Sequence, residues 1–301
     1  MSAPFLCAEG WRSQRAGSFH WGCIYLPDLT LRCGPKTLDL SRPVVMGVLN
    51  VTPDSFSDGG RFLPIEAAVA HGVRLAEEGA AIIDIGGEST RPGAALVSVE
   101  EELRRVVPVV ERLRAATQAI ISVDTSKPEV IREAVAAGAG LINDVRALDE
   151  PGALEAAAAS GCAVCLMHMQ GDPRTMQRAP SYVDVVKEVK AFLDEHVQRC
   201  RAAGVSADRI VVDPGFGFGK TLEHNLELLR RLRELHDELP VLVGLSRKSM
   251  VGTLTGGGAG ERVHGSIALA VIAALNGARI VRAHDVAATV DALKMVTAVY
   301  L

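Results

Sequence analysis

Short apolar runs alternate with longer helix-like segments along most of the chain, starting at residue 44. The apolar runs are nearly uninterrupted and lack the alternation of a strand that has one face in water. They predict eight strands, at Val44–Val51, Ala81–Gly86, Ile120–Asp124, Leu141–Val145, Ala163–Met169, Ile210–Asp213, Val241–Leu245 and Arg279–Ala283. Strands that are apolar on both faces indicate a parallel sheet that is covered by helices.

The segments between these runs carry signals for helices. Ser98–Glu101 and Ser126–Glu129 both have the spacing of a capping box, in which the serine hydroxyl accepts from the amide three residues later. Pro128 falls in the first turn of the second helix, where its missing N–H is harmless. Leu226–Leu235 shows the three-four spacing of an amphipathic helix. We therefore expect a helix after each strand.

Eight strand–helix units in about 260 residues predict a closed (β/α)8 TIM barrel, for which ~250 residues is typical. The alternative is an open, doubly wound sheet. Its Gly-x-Gly-x-x-Gly turn is absent after the first strand, and Gly215–Gly219 comes too late and lacks the final spacing. We expect a barrel domain over residues 24–301, with a short N-terminal β-hairpin within residues 24–40 at its bottom. Residues 1–23 form an appended N-terminal arm whose order is left open.

Composition and charge narrow the possible functions. The 301 residues carry a net charge of -4, and only 4% of them are aromatic. This balance argues against nucleic-acid binding, which needs basic stripes and often stacking rings. The apolar run Ile267–Leu275 is about half of the ~18 residues of a membrane span, and residues 1–22 lack the apolar core of a secretory signal. We expect a soluble, cytoplasmic protein.

The six cysteines are too sparse for a disulfide scaffold in a chain of this length. Cys162 and Cys165 have the spacing of a redox pair, but they lie in an apolar run. Redox pairs are found instead at a helix N-terminus, where the dipole lowers the thiol pKa. We expect buried, reduced thiols.

Polar residues lie at or just after the carboxyl end of every one of the eight predicted strands. In a TIM barrel these carboxyl ends meet at the face that carries the active site. Packing alone explains this poorly, because each unpaired buried polar atom costs about 1–3 kcal/mol. The residues are Asn50, Glu88 to Arg91, Asp124, Asn143 with Asp144, His168, Asp213, Ser246 to Lys248, and Arg282 with His284 and Asp285. The sequence therefore predicts a functional site at this face.

Four of these residues suit a flat heterocycle with several N–H and C=O groups. Asp124 and Asp213 accept from N–H groups, Asn143 both donates and accepts, and Lys248 donates to a carbonyl. A Schiff-base role for Lys248, as in an aldolase, is the alternative. It is disfavoured because Lys248 lies beyond the strand end, beside Arg247, and not in a dry barrel interior.

Four other residues suit a phosphate group with a hard cation. Arg282 and His284 lie at the end of the eighth strand. In a closed barrel this strand pairs with the first strand, which brings Asn50 near. An amide oxygen is a suitable Mg²⁺ ligand when phosphate oxygens and water complete the shell. Arg91, on a loop, can add a further phosphate contact.

Three residues have structural alternatives. Asp84 is followed by Ile85 and two glycines, so support of neighbouring loops and a role in the site both stay open. His168 lies between two methionines and fits a hydrogen-bonded core histidine better than a ligand. The histidines in helical segments, among them His196, are expected at the surface.

Seven segments closely resemble those of the dihydropteroate synthase family, in order and at compatible spacing. They are NVTPDSFSDGG, DIGGESTRPGA, SVDTSKP, LMHMQGDPRTMQ, DPGFGFGK, GLSRKSM and RAHD. The resemblance runs from about residue 24 to the C-terminus. The chain departs from the family pattern at Ala283, where a valine is expected, and in its N-terminal arm.

This resemblance implies an enzyme of folate biosynthesis, a transferase. It would condense 6-hydroxymethyl-7,8-dihydropterin diphosphate with p-aminobenzoate, release pyrophosphate and use Mg²⁺. The departing diphosphate would leave a cation on the pterin. The family also suggests a homodimer, for which Ile267–Leu275 is a candidate face.

The family's site residues transfer motif by motif onto this sequence. The pterin would be bound by Asp124, Asn143, Asp213 and Lys248. The diphosphate would be bound by Thr90, Arg91, Arg282, His284 and, together with Mg²⁺, Asn50. The p-aminobenzoate pocket would consist of Phe56, Pro92, Phe218, Lys248 and Ser249. Asp58 would belong to a mobile lid over Thr52–Gly60, with Phe56 as its apolar face.

Two other functions compete with this one. A pterin-dependent methyltransferase domain shares the barrel and the pterin cradle, but it needs neither a diphosphate clamp nor a p-aminobenzoate pocket. A non-catalytic paralogue that only binds pterin would be expected to lose lid or clamp residues, and Asn50, Phe56, Lys248 and Arg282 are all retained.

Overall fold

A computed structural model of the chain describes residues 29–52, 63–89, 96–171, 175–177, 179–236 and 238–300. Eight parallel strands close into a barrel, and the last strand pairs with the first. A two-stranded antiparallel hairpin precedes the barrel. The predicted (β/α)8 TIM barrel with its short hairpin is confirmed. The arm over residues 1–23 lies outside the described residues.

The strands lie where the apolar runs predicted them, with ends that differ by at most two residues. The hairpin consists of β1 and β2, and the barrel of β3 to β10. In order they are Thr30–Cys33, Lys36–Asp39, Val44–Asn50, Ile82–Gly86, Ile120–Asp124, Leu141–Asp144, Ala163–Met167, Ile210–Asp213, Val241–Gly244 and Ala278–Ala283.

Helices follow each barrel strand and surround the sheet. In the described part of the chain, α1 to α9 are Leu63–Glu77, Val99–Ala116, Pro128–Ala137, Ala153–Ser160, Val185–Ala202, Leu222–Arg230, Ser249–Thr255, Val263–Leu275 and Val286–Tyr300. The predicted helix over Leu226–Leu235 is interrupted, because α6 ends at Arg230 and a short 3₁₀ helix follows at Leu232–Glu234. None of the described helices is long and apolar enough to cross a bilayer.

One of the two predicted capping boxes is a helix cap, and the other is not. The Ser98 hydroxyl accepts from the Glu101 amide at the start of α2. At α3 the N-cap is Lys127, which makes no side-chain cap. Ser126 instead donates to the Asp144 carboxylate across the gap between two strand ends. The prediction for Ser126 was wrong because a tertiary partner competes with the local amide.

The barrel interior changes from apolar to polar along the strands. Side chains alternate between the two faces of a strand. At the amino-terminal end, the inward-facing residues form an apolar cluster with Leu31, Cys33 and Leu40 of the hairpin segment. The hairpin thus covers the bottom of the barrel, as predicted. Two residues further along β4 and β5 the inward positions are Asp84 and Ser122, which are fully buried.

The described cysteines are buried and free, as expected. They are Cys33, Cys162, Cys165 and Cys200. Burial raises the pKa of the Cys165 thiol well above its usual value. Such a thiol carries little thiolate and is therefore unreactive.

Candidate active site

The buried carboxylate of Asp84 connects three side chains near the carboxyl ends of the strands. Its Oδ1 accepts from Ser122 Oγ at 2.6 Å. Its Oδ2 accepts from Asn143 Nδ2 at 3.0 Å and from Arg282 Nε at 2.7 Å. Asp84 is fully buried, so these bonds hold Asn143 and Arg282 in fixed directions. Asp84 therefore supports the site itself.

Arg282 joins two carboxylates. In addition to Asp84, its Nη2 donates to Asp124 Oδ2 at 3.0 Å. Burial acts to lower the pKa of Arg282, but Asp84 and Asp124 outweigh it and hold that pKa above its usual value. The guanidinium side chain is 23% exposed. A permanent positive charge thus stands at the open end of the barrel, where an anion can reach it.

Asp124 is a carboxylate with a perturbed proton affinity. Burial and the nearby charge of Asp84 raise the pKa of Asp124 to about 7, although Arg282 acts in the opposite direction. Burial also raises the pKa of Asp213, against the attraction of Lys248. Groups with such shifts in a cleft are typical of active sites. Both carboxylates are placed to accept from N–H groups of a bound ring.

Lys248 follows β9 and reaches the loop after the neighbouring strand β8. Its Nζ donates to the Phe216 carbonyl oxygen and lies 4.8 Å from the centroid of the Phe218 ring. Burial lowers the pKa of Lys248 to about 8, with Asp213 acting against this effect. Lys248, Asp213 and Phe218 therefore form one side of the site, with Ser249 at the start of α7 next to it.

The turn that carries Lys248 is strained and held by three contacts. Arg247 has a positive φ of 58°, which costs a non-glycine residue about 1–2 kcal/mol. Its N–H donates to Ser266 Oγ at 2.9 Å, and its carbonyl accepts from Arg262 at 3.0 Å. Its Nε lies 3.0 Å from Asp285 Oδ2. These contacts connect the turn to the start of α8 and to the end of β10, and they fix the backbone position from which the Lys248 side chain extends.

His284 is oriented by the end of the neighbouring strand. Its backbone N–H donates to Ser246 Oγ at 3.2 Å, and its ring Nδ1 lies 3.1 Å from the same oxygen. Ser246 thus determines the direction of the imidazole. Because His284 and Arg282 both belong to the end of β10, two groups that can bind anions lie side by side.

Asn50 lies at the end of β3, next to Gly86 of β4. A Cβ placed on Gly86 would lie 3.6 Å from Asn50 Oδ1 and 3.8 Å from Asp124 Cβ. The absence of a side chain at Gly86 therefore leaves space between Asn50 and Asp124. Among the described residues, no group of three or more His, Cys, Asp or Glu side chains could hold a metal.

Two polar strand ends serve the fold rather than the site. Asp144 accepts from the amides of Arg146 and Leu148 at 2.8 and 2.9 Å and shapes the loop after β6. His168 is buried and hydrogen-bonded to Lys220, which confirms the prediction of a core histidine. The prediction for His196 was wrong. It is buried, with its ring nitrogens near Phe192 O and Asp149.

The chain has similar relatives among known proteins. The family described as pterin binding enzyme matches residues 46–284. The dihydropteroate synthase of Escherichia coli (strain K12) is 60% identical over 263 residues, which cover 87% of this chain and 93% of that protein. The chain belongs to the dihydropteroate synthase family. It is therefore an enzyme, and a transferase.

Solved dihydropteroate synthases share the fold over nearly their whole length. The Xanthomonas albilineans enzyme with 4-aminobenzoic acid is 57% identical, has a TM-score of 0.85, and is matched over 90% of this chain and 98% of that one. The same enzyme in complex with 7,8-dihydropteroate is matched over the same shares, at 55% identity and a TM-score of 0.82.

The structure brings together most of the residues that the family resemblance named. These are Asn50, Asp124, Asn143, Asp213, Phe218, Lys248, Ser249, Arg282 and His284. Their individual roles in this synthase stay predictions. Thr90, Arg91, Pro92, Phe56 and Asp58 lie outside the described residues. Lys220, the last residue of the DPGFGFGK segment, had no predicted role, and only its burial in the structure marks it as unusual.

Proposed function

We propose that the enzyme condenses 6-hydroxymethyl-7,8-dihydropterin diphosphate with p-aminobenzoate, giving 7,8-dihydropteroate and pyrophosphate. The observation that carries this proposal is the Asp84–Arg282–Asp124 network beside Lys248. It combines acceptors for a ring with a fixed cation for an anion. Relatives whose solved structures hold 4-aminobenzoic acid or 7,8-dihydropteroate support the same two ligands.

The pterin ring would lie among Asp124, Asn143, Asp213 and Lys248. The two carboxylates accept from ring N–H groups when they are ionised, and Lys248 donates to the ring carbonyl. Asn143 is held by Asp84, which leaves its amide oxygen as an acceptor. The polar upper layer of the barrel thus offers both donors and acceptors to a flat heterocycle.

The diphosphate would lie between the end of β10 and the end of β3. Arg282 and His284 would bind its oxygens on one side, and Thr90 and Arg91 would contribute from the loop after β4. Asn50 would hold Mg²⁺ through its amide oxygen. This donor set fits the ion, because Mg²⁺ keeps several waters and takes one or two protein oxygens together with substrate phosphates. When bound, the ion would neutralise charge that develops on the leaving group.

The reaction would start with cleavage of the C–O bond between the pterin methylene and the diphosphate. The electron pair leaves with the diphosphate, where Arg282 and His284 stabilise the developing charge. The resulting cation is delocalised into the ring beside Asp124 and Asp213. The neutral amine of p-aminobenzoate then attacks the methylene and loses a proton, so a strong general base is unnecessary.

The second substrate would bind against Phe218 and Lys248, with Ser249 near its carboxylate. Pro92 and the lid residues Phe56 and Asp58 would complete this pocket and exclude water from the cation. We expect Phe56→Ala to retain pterin binding and to raise the KM for p-aminobenzoate at least tenfold. Steady-state kinetics with p-aminobenzoate as the varied substrate would measure this, and an unchanged KM would contradict the lid role.

The overall reaction is tested by pyrophosphate release from the purified protein. The protein is given the pterin diphosphate and Mg²⁺, with and without p-aminobenzoate, and dihydropteroate is quantified in parallel. We expect release that depends on p-aminobenzoate and matches product formation one to one. Pterin binding without product would indicate a non-catalytic paralogue instead.

We also propose that the enzyme is a homodimer that associates through α8 and α9. Ile272 on α8 and Met295 and Val299 on α9 are large apolar residues with exposures of 43%, 62% and 69%. Analytical ultracentrifugation would show the mass of one chain if this proposal is wrong.

The cytoplasmic location stays a prediction.

A further inference from the structure

Lys220 is a buried cation at the end of the loop that follows β8. Its residue is 3% exposed. Its Nζ makes contacts of 3.0 Å with the carbonyl oxygens of both Gly215 and Phe218. A third contact, at 2.9 Å, reaches His168 Nδ1 at the end of β7. Lys220 therefore ties the two ends of one loop to each other and to the neighbouring strand.

These three contacts match the three N–H bonds of an ammonium group. An ammonium has three donors and no acceptor, and each of the three partners can accept. Burial and the charge of Lys220 lower the pKa of His168 to about 3, so its ring is neutral and Nδ1 can accept. Every donor of the charged Lys220 side chain is thus used inside the protein, and none is left for a ligand.

The loop that Lys220 holds, residues 214–219, needs such support. Gly215 and Gly219 have positive φ values of 66° and 62° and pack directly on the segment after β7. A Cβ on Gly215 would lie 1.9 Å from His168 O, and one on Gly219 would lie 2.6 Å from Gln170 O. The only large side chain that the loop buries fully is that of Phe216, so hydrogen bonds determine much of its conformation.

This loop also carries the groups that face Lys248. The Phe216 carbonyl accepts from Lys248 Nζ, and the Phe218 ring lies 4.8 Å from the same atom. The carbonyl of Phe218 is itself a partner of Lys220. A shift of the Lys220 contacts would therefore move the aromatic ring and the Lys248 acceptor together.

We propose that Lys220 is a positioning residue that holds residues 214–219 in the conformation which presents Phe218 and the Phe216 carbonyl to Lys248. This proposal rests on the proposed function, in which Phe218 and Lys248 bind p-aminobenzoate. Lys220 then sets the affinity for this second substrate without touching it. Of the four proposed pterin contacts, Asp124 and Asn143 belong to β5 and β6 and lie outside this loop. Asp213 and Lys248 adjoin it, because Asp213 accepts from the Gly215 amide and Lys248 donates to the Phe216 carbonyl. We therefore expect a smaller effect on pterin binding than on p-aminobenzoate binding.

The charge of Lys220 is required for this role and titrates near neutrality. Burial lowers the pKa of Lys220 to about 7, with Asp213 opposing this effect and Lys248 adding to it. A neutral amine keeps only two N–H donors, so one of the three acceptors loses its bond as the pH rises. The charged or titratable groups that face Lys220 are Asp213, Lys248 and His168. The contacts by which Lys220 holds residues 214–219 should therefore weaken as the pH rises.

The test compares Lys220→Met with the wild type and with Lys190→Met. Methionine preserves length and removes all donors. Lys190 is a matched control, because it also donates to a backbone carbonyl, that of Leu235 at 3.2 Å, but on the outer helix α5. We expect Lys220→Met to raise the KM for p-aminobenzoate at least tenfold, to keep kcat within threefold and to raise the Kd for the pterin less than the KM for p-aminobenzoate. Lys190→Met should change none of these.

The pH profile separates positioning from general destabilisation. In the wild type the KM for p-aminobenzoate should rise between pH 6.5 and 8.5. In Lys220→Met the KM should be high already at pH 6.5 and should change less over this range. Because the pKa of Lys248 is also lowered, to about 8, the difference between the two profiles, and not the rise in the wild type alone, reports on Lys220. A Lys220→Met enzyme with the KM and the pH profile of the wild type would overturn the proposal.

Tyr182→Phe provides a second, milder test if Lys220→Met does not fold. Tyr182 Oη donates to the Gly219 carbonyl at 2.9 Å, so its loss loosens the same loop without removing a buried charge. We expect a KM for p-aminobenzoate that rises about threefold. An unchanged KM in a folded Tyr182→Phe protein would count against the role of this loop.

Amide hydrogen exchange distinguishes failure of this inference from failure of the proposed function. A wild type that makes no dihydropteroate would refute the proposed function, whereas exchange in residues 214–219 still reports on Lys220. Lys220→Met should exchange these amides at least tenfold faster than Lys190→Met does. Equal amide exchange rates in the two variants would refute the proposal that Lys220 holds this loop, whatever reaction the wild type catalyses.

Discussion

At the scale of single residues, the buried carboxylate of Asp84 decides the geometry of the site. It receives hydrogen bonds from Ser122, Asn143 and Arg282. Its two oxygens offer four acceptor positions to these three donors. Asp84 also makes the proton affinity of Asp124 sensitive to its own charge.

We expect Asp84→Asn to lower kcat/KM at least tenfold, which corresponds to ~1.4 kcal/mol of transition-state stabilisation. The NH₂ group of the new amide cannot accept a hydrogen bond, so it would face one of the donors from Ser122, Asn143 and Arg282 unfavourably. Arg282 would then no longer be held in its direction. Because the charge of Asp84 raises the pKa of Asp124, its removal should lower that pKa. Carbon-13 NMR titration of the Asp124 carboxyl would measure this shift.

Ser122→Ala is the control for this prediction, because it removes one hydrogen bond to Asp84 and keeps its charge. It should leave the pKa of Asp124 nearly unchanged and reduce kcat/KM far less than Asp84→Asn does. An Asp84→Asn protein with the wild-type pKa at Asp124 would show that Asp84 does not set the electrostatics of the site.

The sequence predicted where the functional site lies, but it did not show which residue holds the side chains of that site in place. Asn50, Asp124, Asp213 and Lys248 were found because strand ends in a barrel converge. The role of Asp84 could not be decided, because one of its partners, Arg282, is 198 residues away. His196 was misplaced for a similar reason, since a helical pattern does not reveal a partner such as Asp149.

At the scale of elements, a partly buried ion-pair cluster joins the ends of β4 and β5 to α2. The Lys127 ammonium lies 2.6 Å from Glu88 Oε2 and 2.5 Å from Glu102 Oε2. Glu102 is 1% exposed, whereas Lys127 and Glu88 are each 24% exposed. Glu88 Oε1 also accepts from the Val97 amide at 3.2 Å. The cluster thus anchors both ends of the segment that carries Thr90 and Arg91.

We expect Lys127→Met to lower the free energy of unfolding by about 3 kcal/mol. Removal of one partner from a buried pair costs ~3–5 kcal/mol because the other charge stays buried, and the partial exposure of Lys127 favours the lower value. Urea denaturation would measure the change. The double variant Lys127→Met with Glu102→Gln should regain part of the loss, because no unpaired charge then lies under α2.

Lys294→Met is the matched control for the cluster. Lys294 pairs with Asp291 on the surface, at exposures of 68% and 77%, and such pairs contribute about 0–1 kcal/mol. Equal losses in Lys127→Met and Lys294→Met would mean that the cluster does not stabilise this part of the barrel.

The elements themselves were largely predictable, and their ends were less so. Continuous apolar runs located the strands because a parallel sheet is buried on both faces. Local signals failed where tertiary partners intervene. Ser126 has a capping-box spacing, yet its hydroxyl is used by Asp144. The leucine pattern continues to Leu235, although α6 ends at Arg230.

At the scale of the whole molecule, the barrel has an apolar bottom and a polar top. Apolar inward residues and the hairpin close the amino-terminal end, while carboxylates and cations fill the carboxyl end. Burial raises the pKa of Asp124 to about 7 and lowers the pKa of Lys248 to about 8. Both pKa shifts arise because burial disfavours the charged form of the side chain. The groups that are placed to bind ligands therefore reduce the stability of the ligand-free protein.

Because burial disfavours its charged form, Lys248 has a measurable effect on the pH dependence of the free energy of unfolding. Between about pH 8 and its usual value of 10.5, Lys248 has lost its proton in the folded state but keeps it in the unfolded state. The unfolded state then binds more protons, so the contribution of Lys248 to stability rises with pH. Below about pH 8 both states are protonated and the contribution is constant.

We therefore compare the wild type with Lys248→Met by urea denaturation at pH 7, 8 and 9. The free energy of unfolding of the wild type should gain about 1.4 kcal/mol relative to Lys248→Met between pH 7 and pH 9, because one pKa unit equals ~1.4 kcal/mol. The buried cysteines also titrate on unfolding in this range, but they cancel in the difference. Lys190→Met, on the outer helix, should show a constant difference from the wild type. A constant difference for Lys248→Met as well would mean that the barrel end does not depress the proton affinity of Lys248.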